Sequence, residues 1–205
     1  DAAAAGRALI AADRAGAGDA ALLFGAGKRF QEAGELARAR QTFEQVVDRF
    51  PNAPEAITAA IESSRTLYDE GQVGLALARA EELAETTKGP SDRLAIHRAL
   101  ANLYRDLGLK TAAGDAYGEV ATLSETPDVL AEAAVGLLDA GKWDDGLEVA
   151  ERVDRSRLDA DTAYRLLMRE GETLLRINPT RGLDKMDEAF EQYPEARTAA
   201  GDLTY

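Results

Sequence analysis

The chain has 205 residues, with 24 Lys and Arg against 37 Asp and Glu, so its formal charge is −13. It is 45% hydrophobic, which is enough to build a core, but it has no Cys and one His, which excludes disulfides, thiolate metal sites, cysteine nucleophiles and two-histidine catalysis. The acidic balance argues against generic nucleic-acid binding and docking on an anionic membrane, and no apolar stretch approaches the ~20 residues of a membrane-spanning helix.

The chain opens at Asp1 without Met, on an alanine-rich segment that reads as the middle of a protein. The expectation is a processed product or a piece of a longer polypeptide. Helix formers dominate from there on, with Ala, Leu, Glu and Arg supplying most positions. Between Leu94 and Leu107 the apolar groups Leu100, Leu103, Tyr104 and Leu107 stand three and four apart, which is the period of an amphipathic helix. No run of Val, Ile and Thr alternates with polar residues as a strand requires. Breaks at Pro51-Asn52-Ala53-Pro54, Lys88-Gly89-Pro90-Ser91, Thr126-Pro127 and Asn178-Pro179-Thr180 place Pro where helices start. The expected class is all-α.

Repetition carries more information than any single segment. Gly34, Gly71, Gly108 and Gly141 are 37, 37 and 33 residues apart, each between two helical segments. Around Gly34 stand Phe30, Ala39 and Phe43; around Gly108 the same offsets hold Tyr104, Ala113 and Tyr117. The second and fourth units give Leu67, Gly71, Ala76, Ala80 and Leu137, Gly141, Gly146, Ala150. Large residues facing one another fill the inside of a helical hairpin. A small residue after the turn lets the helices approach, and Gly supplies the positive φ that ends the first helix.

With these offsets the chain resembles the tetratricopeptide repeat family, whose unit is a 34-residue helix–turn–helix. Leu23, Gly27, Phe30, Gly34, Ala39, Phe43 and Pro51 of the first unit carry the resemblance best. A fifth unit shows at its end, where Tyr193-Pro194 echoes Phe50-Pro51 and Met186 takes the place of Phe43; its turn is Asn178-Pro179 rather than Gly. The resemblance implies one array forming a right-handed superhelical solenoid. It comprises a half repeat over 1–18, repeats over 20–53, 57–90, 94–126, 127–160 and 163–196, and a C-terminal cap or tail over 197–205. The stretch from Phe43 to Pro54 is similar to repeats of bacterial envelope proteins, which favours a periplasmic or envelope home over the cytoplasm.

The resemblance also implies that the first helix of each unit lines a concave groove. The groove candidates are then Phe24, Lys28 and Gln31; Ile61, Arg65 and Tyr68; and Arg98, Asn102 and Arg105. Further along come Ala131, Val135 and Leu138, then Tyr164, Leu167 and Leu174. Lys28, Arg65, Tyr68, Arg98, Asn102 and Arg105 are the expected partner-binding residues. The central ones would form a basic, hydrogen-bonding stripe, followed by an apolar C-terminal part. A peptide with carboxylates toward one end and hydrophobic side chains toward the other would complement that surface. Solvated charge on an exposed helix face is the plain alternative, and Arg65 with Asp69 four residues on could be a simple surface pair. The Lys and Asn clamp of chaperone-tail-binding members finds only a partial match, at Asn102.

Signals for chemistry fail one by one. Gly25-Ala26-Gly27-Lys28-Arg29 lacks the earlier Gly of a phosphate loop, where Leu22 stands, and the Ser or Thr, where Arg29 stands. His97 has no hydroxyl, thiol or second His nearby and reads as a packing or groove-edge residue. Asp144-Asp145, Glu81-Glu82 and Asp159-Asp161 lack a Gly-centred calcium loop, and Asp159 or Asp161 reads as a helix cap. Trp143, at the start of a second helix, reads as a packing or interface residue. The reading is therefore no enzyme, no cofactor, no metal, no nucleic acid and no membrane insertion. A protein or peptide partner is expected, with self-association through open repeat ends, or service as a regulatory module of a larger enzyme, as the alternatives.

Overall fold

The structure is a computed structural model that describes residues 1–14 and 18–196. The expected tail over 197–205, and residues 15–17 of the half repeat, lie outside the described residues. Every regular element among the described residues is helical. They are α1 (Ala2–Ala12), α2 (Ala20–Glu32), α3 (Leu36–Arg49), α4 (Pro54–Asp69), α5 (Val73–Thr86), α6 (Pro90–Asp106), α7 (Lys110–Leu123), α8 (Pro127–Ala140), α9 (Trp143–Arg152), α10 (Ala160–Ile177) and α11 (Pro179–Gln192), with a 3-10 turn at Arg155–Arg157. Pro54, Pro127 and Pro179 start α4, α8 and α11, where a missing N–H costs nothing.

Four of the first helices, α2, α4, α6 and α8, end in the same way. Gly34, Gly71, Gly108 and Gly141 have φ of +73°, +80°, +71° and +88°. The residue after each Gly donates its backbone N–H five residues back: Glu35 to Phe30 at 2.9 Å, Gln72 to Leu67 at 2.8 Å, Leu109 to Tyr104 at 2.9 Å and Lys142 to Leu137 at 3.0 Å. This satisfies carbonyls that a helix end otherwise leaves unpaired. The four acceptors are the large residues that the sequence aligns. At Gly141 an added Cβ would meet nothing within 4 Å, so any penalty there is purely conformational. Gly141→Ala is expected to cost about 1 kcal/mol, and Gly141→Asn less, in denaturant unfolding followed by circular dichroism.

The chain divides into two compact units, Asp1–Leu103 and Tyr104 onward, with the division inside α6. In the first unit Leu23, Phe30, Ala39, Phe43 and Val46 are almost fully buried. The Phe43 ring lies so close to α2 that a Cβ at Gly27 would stand 2.5 Å from it. This is why the small residue occurs there. The Gly25–Arg29 segment is interior to α2, so its backbone N–H groups are committed and cradle no phosphate. In the second unit Tyr117, Leu130, Leu137, Leu166 and Leu167 form the buried set. The α10–α11 hairpin repeats the Gly27–Phe43 device in other residues: a Cβ at Gly171 would lie 2.5 Å from Met186, and one at Gly182 would lie 2.5 Å from the Leu175 nitrogen. Asn178 replaces the turn Gly by ending α10 and capping α11, its side chain accepting from the Arg181 N–H at 3.3 Å. Asp159 caps α10 by accepting from the Thr162 N–H at 2.9 Å.

Candidate functional site

The six expected binding residues lie on α2, α4 and α6, and their settings differ. Lys28 is committed: its Nζ donates to Gln31 Oε1 at 2.9 Å and stands 3.2 Å from Glu62 Oε1, while Gln31 donates to Glu62 Oε2 at 3.2 Å. This α2–α4 triad leaves Lys28 little unbalanced charge. Arg65 is exposed on α4 and Tyr68 is half-buried one turn on. The anticipated Arg65–Asp69 pair does not form, since neither side chain has an ion pair among the described residues. Arg98 and Asn102 are half-buried on α6, as is His97.

Arg105 sits in a defined cleft, of about 360 Å³, wholly inside the second unit. Its floor is α8, which contributes Ala131, Val135 and Gly136, with Tyr117 of α7 beneath. Asp128, Glu132 and Asp139 of α8 edge the cleft, and Thr162 and Arg165 of α10 close the other side. Positions 128, 132, 135 and 139 are four, three and four apart, so a single face of α8 presents them. The Tyr117 ring is 1% exposed, yet its hydroxyl accepts from Arg105 Nη1 at 3.1 Å. Burial pushes the Tyr117 hydroxyl above its usual range, so it keeps its proton at neutral pH. Arg105 also meets Asp106 at 3.3 Å, and these two partners hold it charged against the burial that opposes them. Arg165 donates to Thr162 Oγ1 at 3.3 Å. Guanidinium groups from α6 and α10 with the carboxylates and small apolar residues of α8 make a surface suited to a chain of mixed charge.

The expected apolar C-terminal groove is corrected in part. Ala131 and Val135 line the cleft, although Ala131 is only 1% exposed, while Leu167 (0% exposed), Leu138 (4%) and Leu174 (6%) are buried and do not line it. Tyr164 is buried too, its ring 6.4 Å from that of Phe190. Sequence reasoning passed over Asp128, Glu132, Asp139, Thr162 and Arg165, although the one-face spacing of the three acids was visible in it. Among the described residues no cluster of His, Asp and Glu is arranged to hold a metal ion, and no helix is long and apolar enough to cross a membrane.

No family model matches the chain, and no curated protein does. Solved structures are similar. YrrB, described as a TPR protein with an unusual peptide-binding site, is 17% identical with a TM-score of 0.63, over 96% of this chain and 100% of that one. BtubC (BKLC) from P. vanneervenii is 14% identical with a TM-score of 0.70, over 100% of this chain and 91% of that one. A Podosopora anserina protein with nearly identical TPR-like repeats is 20% identical with a TM-score of 0.61, over 88% of this chain and 95% of that one. Recurrent helical hairpins, glycine-ended first helices and these likenesses together give one conclusion: the chain has the tetratricopeptide-repeat fold.

Proposed function

We propose that the chain is a non-catalytic interaction scaffold that binds an extended peptide, or a loop of a partner domain, in the α8 cleft. The observation that carries this reading is a single cleft lined by Arg105, seated on the buried Tyr117 hydroxyl, by Arg165, and by the acidic and small apolar residues of α8. Guanidinium forks take carboxylates in fixed geometry, and Asp128, which has no ion pair among the described residues, takes a basic side chain. The ligand that fits has both signs of charge and a small apolar residue for the Ala131–Val135–Gly136 floor. This replaces the peptide with carboxylates at one end and hydrophobic residues at the other. YrrB, whose description includes a peptide-binding site, supports the reading by analogy of fold.

Selection from a random peptide library is expected to enrich such mixed-charge sequences, with binding measured by calorimetry. Arg105→Glu with Arg165→Glu should weaken the selected peptide at least tenfold, while far-ultraviolet circular dichroism stays unchanged. The Arg98→Glu and Arg105→Glu pair tests the longer α6 stripe in the same assay. Unchanged affinity in the Arg105/Arg165 variant overturns the cleft reading.

A structural role through self-association is the second reading, and the exposure of Ile177 (53%) and Leu183 (56%) on the last hairpin favours it. Light scattering across a concentration series separates the two: a mass that rises with concentration supports assembly. A bacterial envelope home rests on the likeness of the Phe43–Pro54 stretch, and the absence of Cys is compatible with it.

A further inference from the structure

A second cleft of the same unit, about 440 Å³, lies where α8 and α10 end and α7 and α9 begin. Trp143 opens α9 at the cleft and is 38% exposed, one of few large apolar side chains open to solvent among the described residues. The Arg176 guanidinium stands 5.8 Å from the centre of its ring. Arg169 is fully engaged by Asp139 at 2.9 Å and Glu172 at 2.6 Å, so those two carboxylates are occupied. Lys110 and Arg176, which line the same cleft, have no ion pair among the described residues. In a chain with a net charge of −13, two cations without an ion pair among the described residues, beside a part-exposed indole, are a local reversal of sign. Asp144 and Asp145, next to Trp143 in sequence, are not part of the lining.

We propose that this edge is a docking site for an acidic peptide segment that carries an aliphatic side chain between its carboxylates. The charge complementarity fixes the sign of the partner. An exposed ion pair contributes little alone, because water competes for both charges. Affinity at such a place therefore needs the aliphatic group on the indole as well. A guanidinium over an indole can still donate its N–H groups to a carboxylate, so Arg176 can serve the aromatic face and the partner's charge together. The proposal does not depend on a ligand in the α8 cleft, although Asp139 borders both.

Trp143 is the one Trp of the chain, so intrinsic fluorescence reports this edge directly. The probe is the capped pentapeptide Asp-Glu-Leu-Asp-Glu, titrated into the whole chain. A saturable change in Trp emission is expected, weakening as salt rises. The peptides Lys-Lys-Leu-Lys-Lys and Asp-Glu-Ser-Asp-Glu should bind at least tenfold more weakly. Lys110→Glu with Arg176→Glu should reduce affinity at least tenfold, and Lys110→Gln with Arg176→Gln should give a smaller loss in the same direction. Trp143→Ala, followed by calorimetry, should lose at least fivefold. Arg165→Glu should leave the titration unchanged, which keeps failure here distinct from failure at the α8 cleft. No saturable change at millimolar peptide, equal binding by the basic peptide, unchanged affinity in the double-Glu variant, or loss in Arg165→Glu overturns the proposal.

Discussion

Gly136→Ala is expected to destabilise the chain by about 2 kcal/mol net, an unusual sign for a glycine inside a helix. A Cβ at Gly136 would stand 2.3 Å from Cδ2 and Cε2 of Tyr117, against the ~3.5–4.0 Å at which carbon atoms pack comfortably. The ring cannot step aside, because it is 1% exposed and its hydroxyl is tied to Arg105. Overpacking at that severity costs about 3 kcal/mol, and the helix propensity of Ala returns only about 1 kcal/mol. Gly118, in the middle of α7, supplies the contrast, since a Cβ there meets nothing within 4 Å. Gly118→Ala should therefore stabilise by about 0.5–1 kcal/mol. Urea unfolding of the two variants tests the difference in sign. Adding Tyr117→Leu to Gly136→Ala should cost less than the two changes summed, because the clash goes with the ring. Peptide binding in the α8 cleft should weaken in Gly136→Ala as well, since displacing the ring moves the seat of Arg105.

Arg155→Met is the second large effect, expected to cost about 3 kcal/mol near neutral pH. Glu170 is buried in α10, and Arg155, from the 3-10 turn before that helix, reaches it at 2.6 Å while also donating to the Ala150 carbonyl at 3.4 Å. Lys185 of α11 is more distant, 4.0 Å from the other carboxylate oxygen. Removing Arg155 leaves a buried carboxylate short of its main counter-charge. Burial already pushes the Glu170 carboxyl above its ordinary value of 4.5, even with Arg155 pulling it down. A carboxyl raised in this way supports the fold fully below its unfolded pKa and loses that support as pH rises through the folded value. The contribution of Glu170 to stability should accordingly decline as pH rises from its ordinary value toward its raised one. In Arg155→Met the folded value climbs further, so the decline should extend to higher pH. Glu170→Gln should remove this part of the pH dependence, and Arg155→Met with Glu170→Gln should recover much of the loss. Unfolding midpoints between pH 4 and 9 distinguish these outcomes; a pH-independent cost for Arg155→Met overturns the assignment.

Hairpin register could be read from residue types because local mechanics dictates it. Positive φ selects Gly at 34, 71, 108 and 141, and large residues four before each are the ones whose carbonyls the turn must satisfy. Even the weaker fifth hairpin obeyed a readable rule, with Met186 against Gly171 where Phe43 lies against Gly27. These features depend on contacts within one hairpin, so a linear pattern encodes them. The surface was harder. Periodicity tells which face of a helix a side chain occupies and says nothing of what stands opposite. Lys28 looked available until Glu62, thirty-four residues on, proved to be its partner. Leu138, Leu167 and Leu174 sat at groove spacing but went into the core. Arg105 and Tyr117, by contrast, were each singled out for separate reasons, one as charge and one as filler, and folding joined them.

The order of residues alone specified a helical repeat and the places where each helix must stop, since those constraints act over one turn or one hairpin. Which charges are spent on neighbours and which face open clefts emerged from packing between successive hairpins. Ion pairs such as Lys28–Glu62 and seats such as Tyr117 under Arg105 join residues that spacing cannot match. Only the juxtaposition of separate helices fixes the distance at which such charges cancel or remain available.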